Sequence, residues 1–149
     1  MRLAASEEIG APAGAIYDRL ADFRRIEAGA RARGLDVERT EEAPARWRVG
    51  FDLAGARRTA DLVVVGMDPP HGLLLHGEAA GIAARIEFLV DALGPDRSRL
   101  TLEARLRGTG LSGRMLLGTL GLGAAGIERR IGERLAAFGR GVEGSGGVG

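Results

Sequence analysis

His76 and Glu78 stand two apart in Leu73-Leu74-Leu75-His76-Gly77-Glu78-Ala79, a spacing that puts an imidazole and a carboxylate on one face of a β-strand. On a face turned into an enclosed cavity, such a pair could serve as general acid and base toward a bound molecule. The leucine run leaves the register open. With Leu74 inward, both groups enter the interior; with Leu73 and Leu75 inward, both meet water. The second register is preferred, because charged groups are rarely buried unpaired. Arg58 shares strand parity with Ala60, Leu62 and Val64, and Arg39 shares it with Leu35 and Val37. An inward guanidinium would clamp a ligand carboxylate through two parallel hydrogen bonds. At the rim of a sheet it would keep its head in water instead. The rim is preferred for both, and Arg58 is the better anchor of the two.

Other chemistries find little support. Asp61 could pair with His71 or His76, but no nucleophile elbow accompanies them. Two histidines without a cysteine do not make a structural zinc site, so no metal and no cofactor are expected. The string Gly121-Leu122-Gly123-Ala124-Ala125-Gly126 fits GxGxxG by letter, yet no strand precedes it and no βαβ unit contains it. Lysine, asparagine and glutamine are absent, which removes Schiff-base lysines and amide-built oxyanion holes. A formal net charge of +1, with no basic stripe carrying aromatics, gives no reason to expect nucleic acid.

The elements that must position these residues are legible from periodicity. The chain has 149 residues, 45% of them hydrophobic and 28% charged, which suits one domain with a sizeable core. Leu3 to Ile9 reads as a strand. Pro12 suits the first turn of a short helix carrying Ile16, Tyr17, Leu20 and Phe23, and a second helix follows to Gly34. From Leu35 the period becomes two: strands are expected around Leu35–Thr40, Trp47–Leu53, Arg58–Met67, Leu73–Ala79, Ile82–Ala92 and Arg99–Leu106. The intervening turns are marked by Pro44, Ala54-Gly55, Asp68-Pro69-Pro70-His71-Gly72, Gly81 and Gly94-Pro95-Asp96. Joined so closely, the strands must form an antiparallel meander.

Leu116, Leu120, Ala124, Ile127, Ile131, Leu135, Phe138 and Val142 then draw one apolar stripe along a helix of roughly thirty residues, about 45 Å long. The sheet is expected to cover that stripe, with a cavity between. Gly113, Gly118, Gly121, Gly123 and Gly126 weaken the first half of the helix, each by about 1 kcal/mol relative to alanine. They would serve either as a mobile gate or as sites of close backbone packing. The Gly-rich tail, 143–149, is expected to be disordered.

The acidic-aliphatic strand end and helix start Glu8-Ile9-Gly10-Ala11-Pro12, followed by Ile16-Tyr17-Asp18-Arg19-Leu20-Ala21-Asp22-Phe23, resemble the START/Bet v1-like superfamily, whose bacterial members include polyketide cyclase/dehydrase-like (SRPBCC) proteins. The resemblance spans about residues 1–142. It implies an α+β helix-grip fold, a seven-stranded curved antiparallel sheet wrapped around a long C-terminal helix. It also implies a cavity for a small hydrophobic or amphipathic ligand such as a lipid, quinone or polyketide. No catalytic residue is common to that superfamily, so none is carried over.

The side chains expected to line the cavity are Trp47, Phe51, Arg58, Ile86, Phe88 and Leu102 from the sheet, with Met115 and Leu120 from the helix. Binding or carriage is the first reading. The alternative is a cyclase, dehydratase or hydrolase-like enzyme using His76 and Glu78. The opening residues carry no apolar signal core, and the apolar window Met115–Ile127 is too short to span a membrane. A cytoplasmic location without stable membrane insertion is therefore expected. Val63, Val65 and Met67 face opposite to Leu62 and Val64, so the strand is apolar on both faces, and a homodimer through that outer patch is expected.

Overall fold

The computed structural model describes residues 1–53 and 55–146. The period-two stretches become β2 (Asp36–Glu42), β3 (Ala45–Leu53), β4 (Ala56–Asp68), β5 (Gly72–Ala79), β6 (Ile82–Gly94) and β7 (Arg97–Gly108). Each reaches the next through a connection too short for a crossover, so neighbours in sequence are neighbours in space and run antiparallel. The first strand, β1 (Arg2–Ile9), pairs with β7 and completes the order β1-β7-β6-β5-β4-β3-β2. Register shifts at Arg39/Glu41, Val64/Gly66 and Ala92/Gly94 insert extra residues that bend their strands. The sheet accordingly curves.

The β5–β6 turn shows how tightly local chemistry is constrained. Ala79 pairs with Ile82, leaving Ala80 and Gly81 as a two-residue loop with φ of 51° and 76°. Positive φ at both central residues matches the right-handed twist of the flanking strands, and glycine supplies it freely. An alanine in this region is strained by roughly 1–2 kcal/mol. Ala80→Gly is therefore expected to raise stability by about 1 kcal/mol, readable as a higher urea midpoint at unchanged slope. At the β3–β4 turn Gly55 also has φ of 75°; its expected partner Ala54 lies outside the described residues.

Between β1 and β2 lie α1 (Ala13–Ala21) and α2 (Phe23–Ala32), separated by Asp22, whose carboxylate caps α2 by accepting from the Arg25 amide at 3.3 Å. The C-terminal run is two helices, α3 (Gly110–Leu122) and α4 (Ala124–Gly146), not one: the chain turns at Gly123, inside the glycine-rich stretch. Helix also replaces the disorder expected from residue 143. Glu143 accepts from the Gly10 amide at 3.1 Å, and Arg19 donates to Gly141 O and Ser145 Oγ, so the last turns are tied to the front of the chain. Residues 147–149 lie outside the described residues.

Two packed clusters share the concave face. In the first, Ile9, Ile16, Leu20, Val90, Leu100, Leu135 and Val142 join α1 and α4 to β1, β6 and β7. Burying side chains as fully as Ile9, Ile16 and Leu100 contributes roughly 1.5–3 kcal/mol each. In the second, Ala45, Trp47, Val64, Leu73 and Leu75 pack under Phe23 of α2. Phe88 touches both. Buried Tyr17 carries a hydroxyl without a partner among the described residues, and burial, then Asp68 and Asp18, push its pKa up. An unpaired buried hydroxyl costs rather than stabilises. Tyr17→Phe should be neutral or raise stability by up to about 1 kcal/mol, checked by thermal unfolding.

Candidate functional site

A cavity of about 590 Å³ opens between α2 and α4 above the β6–β7 half of the sheet. Its floor is Phe88, Leu100 and Leu102, which alternate inward along β6 and β7. One wall is Ile127, Ile131, Leu135 and Phe138, the apolar stripe of α4 at helical spacing. The other is Leu20 from α1 with Ile26 and Gly29 from α2. Arg19, Arg25, Arg33, Arg130 and Arg134 also line it. Arg25, Gly29 and Arg33 are spaced by fours, which brings both arginines to one side of α2 with a gap between them. The Arg33 guanidinium folds back toward that gap: a Cβ placed on Gly29 would meet Arg33 Nη1 at 3.6 Å.

The charge around this opening is one-sided. The lining, among the described residues, contains arginines and no carboxylate. Among the described residues, Arg25, Arg33, Arg130 and Arg134 have no carboxylate oxygen within ion-pair distance. Burial pushes the Arg33 pKa down, and the like charge of Arg134 pushes it further. A groove of about 570 Å³ on the far side of the sheet offers the contrast. There Arg57 is already paired with Asp36 and Asp52, and Arg48 lies 3.8 Å from Asp61. That groove is neutralised from within.

Phe88 and Leu102 sit where the cavity is lined; the other expected lining residues do not, and each departure has its own cause. Trp47 is 7% exposed and, with Ile86, belongs to the second cluster. Phe51 and Arg58 face each other across β3 and β4 near the hairpin end, where the Arg58 Nε donates to Leu53 O at 3.1 Å. Met115 is 66% exposed and Leu120 half-buried; both belong to α3, which the break at Gly123 separates from the α4 stripe that lines the cavity. His76 and Glu78 are exposed, correcting the alternative that places them inside. Leu73 and Leu75 are the buried pair, packed with Trp47 and Val64, and the strand's period of two then turns His76 and Glu78 to the outer face.

Arg39, expected at the rim with its head in water, is instead turned inward and already engaged. Its Nε donates to the Glu27 carboxylate at 2.6 Å, and Trp47 Nε1 donates to the same oxygen at 2.6 Å. Phe23 meets Trp47 edge to face with centroids 5.1 Å apart, and the Arg39 guanidinium lies 5.9 Å and 6.0 Å from the two ring centres. Burial alone would raise the Glu27 pKa; the hydrogen bonds from Arg39 and Trp47 and the charges of Arg39 and Arg31 outweigh it and hold the carboxyl below its usual range. This cluster fastens α2, and with it one wall of the cavity, to the sheet.

The arginines of the mouth were not singled out by the sequence, although their spacing is visible in it. Arg130 and Arg134 flank Ile127, Ile131, Leu135 and Phe138 on α4, and Arg25 and Arg33 are two helical turns apart. What the spacing does not contain is that the two helices face each other.

Neither a protein-family model nor a curated protein matches the sequence. Solved structures do match. The Zhui aromatase/cyclase from Streptomyces sp. R1128 is 19% identical with a TM-score of 0.70, covering 96% of this chain and 93% of that one. A protein from Thermus thermophilus is 16% identical with a TM-score of 0.72, covering 97% and 99%. A START superfamily protein from Mycobacterium smegmatis is 17% identical with a TM-score of 0.59, covering 97% and 95%. At these identities the likeness carries the fold alone, an α+β helix grip with a curved seven-stranded antiparallel sheet.

Proposed function

We propose that this protein binds or carries a small hydrophobic or amphipathic molecule, of lipid, quinone or polyketide type, in the cavity between the sheet and α4. The observation that carries the reading is the cavity itself: about 590 Å³ with a floor and two walls of aliphatic and aromatic side chains. Ligand pockets run to roughly 300–1,000 Å³ and are lined mainly by such groups, with a few polar ones to orient the ligand. The Streptomyces and Mycobacterium structures are named as an aromatase/cyclase and a START superfamily protein, which fits a ligand-holding fold. Binding is favoured over conversion by the lining: among the described residues it offers arginines and no carboxylate, imidazole or hydroxyl to move a proton near neutral pH. Native mass spectrometry after exposure to a lipid, quinone and polyketide panel should show retained ligand at one per chain. Ala137→Trp, which fills the cavity from α4, should abolish retention. A chain that retains nothing from the panel would overturn the reading.

No helix of the described residues is long and apolar enough to cross a membrane. We also propose that two copies associate through the outer face of β4. Val65 is 46% exposed there, whereas the extra residue between Val64 and Gly66 reverses the alternation and sets Met67 opposite buried Leu73, which corrects the expectation that Met67 belongs to this outer patch. Sedimentation at micromolar concentration should give twice the monomer mass, reduced to the monomer by Val63→Glu with Val65→Glu; a wild-type monomer would refute it.

A further inference from the structure

We infer that the mouth of the cavity is an anion-binding subsite: Arg33 and Arg134, supported by Arg25 and Arg130, receive the carboxylate or phosphate head of an amphipath whose apolar part rests on Phe88, Leu100 and Leu102. The inference rests on the reading of the cavity as a ligand site and adds the chemistry of the head group.

Three observations meet at this place. Arginines from two elements more than ninety residues apart, the end of α2 and the middle of α4, line one apolar opening. The chain as a whole is nearly neutral, with 21 basic and 20 acidic residues, and many of its other arginines are paired with carboxylates. At the mouth no such partner stands within reach among the described residues, and burial and then the charge of Arg134 lower the Arg33 pKa. Holding like charges together without a counter-charge is unfavourable for the protein alone, and the arrangement becomes favourable when an anion lies between them. Guanidinium suits the task, since its planar donors match carboxylate and phosphate oxygens in pairs. An apolar floor behind that ring of donors selects against free inorganic anions, which have nothing to place there. It selects equally against neutral apolar molecules, which leave the guanidiniums unanswered. The favoured ligand is an amphipath with one anionic end.

Calorimetric titration with dodecanoate, dodecyl phosphate, dodecanol and dodecyltrimethylammonium, each below its self-association concentration, tests this. At least one anionic compound should bind ten-fold or more tighter than dodecanol, with the cation weakest, and the preference should shrink as salt is raised. Arg33→Gln with Arg134→Gln, both at exposed positions where folding should be retained, should erase the preference and bring both anions to the affinity of dodecanol. The two anions report which head is preferred. Equal binding of dodecanol and both anions would overturn the anion subsite while leaving the cavity reading intact. A preference that survives in the double variant would overturn its assignment to these arginines. Binding of none of the four would remove the cavity reading and this inference with it.

Discussion

Arg39→Met should lower folding stability by about 3–5 kcal/mol, the typical cost of removing one partner from a buried ion pair. The loss comes mainly from Glu27, whose residue is only 8% exposed and which would be left with the Trp47 N–H alone. Glu27→Leu combined with Arg39→Met should recover most of that loss, because no uncompensated charge then remains; the Trp47 N–H, left without its acceptor, keeps the recovery incomplete. Urea unfolding of wild type, both single variants and the double variant gives the coupling directly. Additive losses would show that the pair contributes no interaction of its own. The pH dependence has a definite sign. The Glu27 carboxyl is held below its usual range in the folded protein, so its contribution is fully present above the unfolded value of about 4.3 and is lost as pH falls through the folded value. The stability difference between wild type and Arg39→Met should therefore be smaller at pH 3 than at pH 7.

Arg39 also shows where sequence reasoning stops. Parity correctly puts it on the concave face with Val37, and period two correctly recovers the strands, because a strand with one buried face must alternate. Parity names a face, however, and not what covers it. Trp47, Phe51 and Phe88 all lie on that face; Trp47 goes to the core beneath α2, Phe51 to the hairpin end and Phe88 to the cavity floor. The decision belongs to α4, which packs along β1 and over β7, and nothing in its own stripe says which strands it will meet. His76 is undecided in the sequence for a different reason. Three consecutive leucines satisfy either register, and the choice is made by Trp47 and Val64, which accept Leu73 and Leu75 as neighbours.

Alanine at Gly113 and alanine at Gly118, five residues apart in α3, should have opposite effects. A Cβ on Gly113 would stand 2.1 Å from the Gly81 carbonyl oxygen and 2.7 Å from its carbon. Both are backbone atoms of the β5–β6 turn, where Thr109 also donates its hydroxyl to Gly81 O at 2.9 Å. No rotamer change relieves a backbone clash, so the first turn of α3 must lift from the sheet, at a cost of about 3 kcal/mol, the upper end of overpacking penalties. A Cβ on Gly118 meets nothing within 4 Å among the described residues. There the substitution only restricts the unfolded chain and improves helix propensity, which should stabilise by about 0.5–1 kcal/mol. The glycines of this run thus have no single purpose: Gly113 permits a close approach, Gly118 stands open, and Gly123 lies at the break that parts α3 from α4. Chemical unfolding of Gly113→Ala and Gly118→Ala side by side separates close packing from a flexible gate. If α3 worked as a freely moving flap with no fixed seat on the β5–β6 turn, both variants would be stabilised alike, and the seat at Gly81 would be refuted.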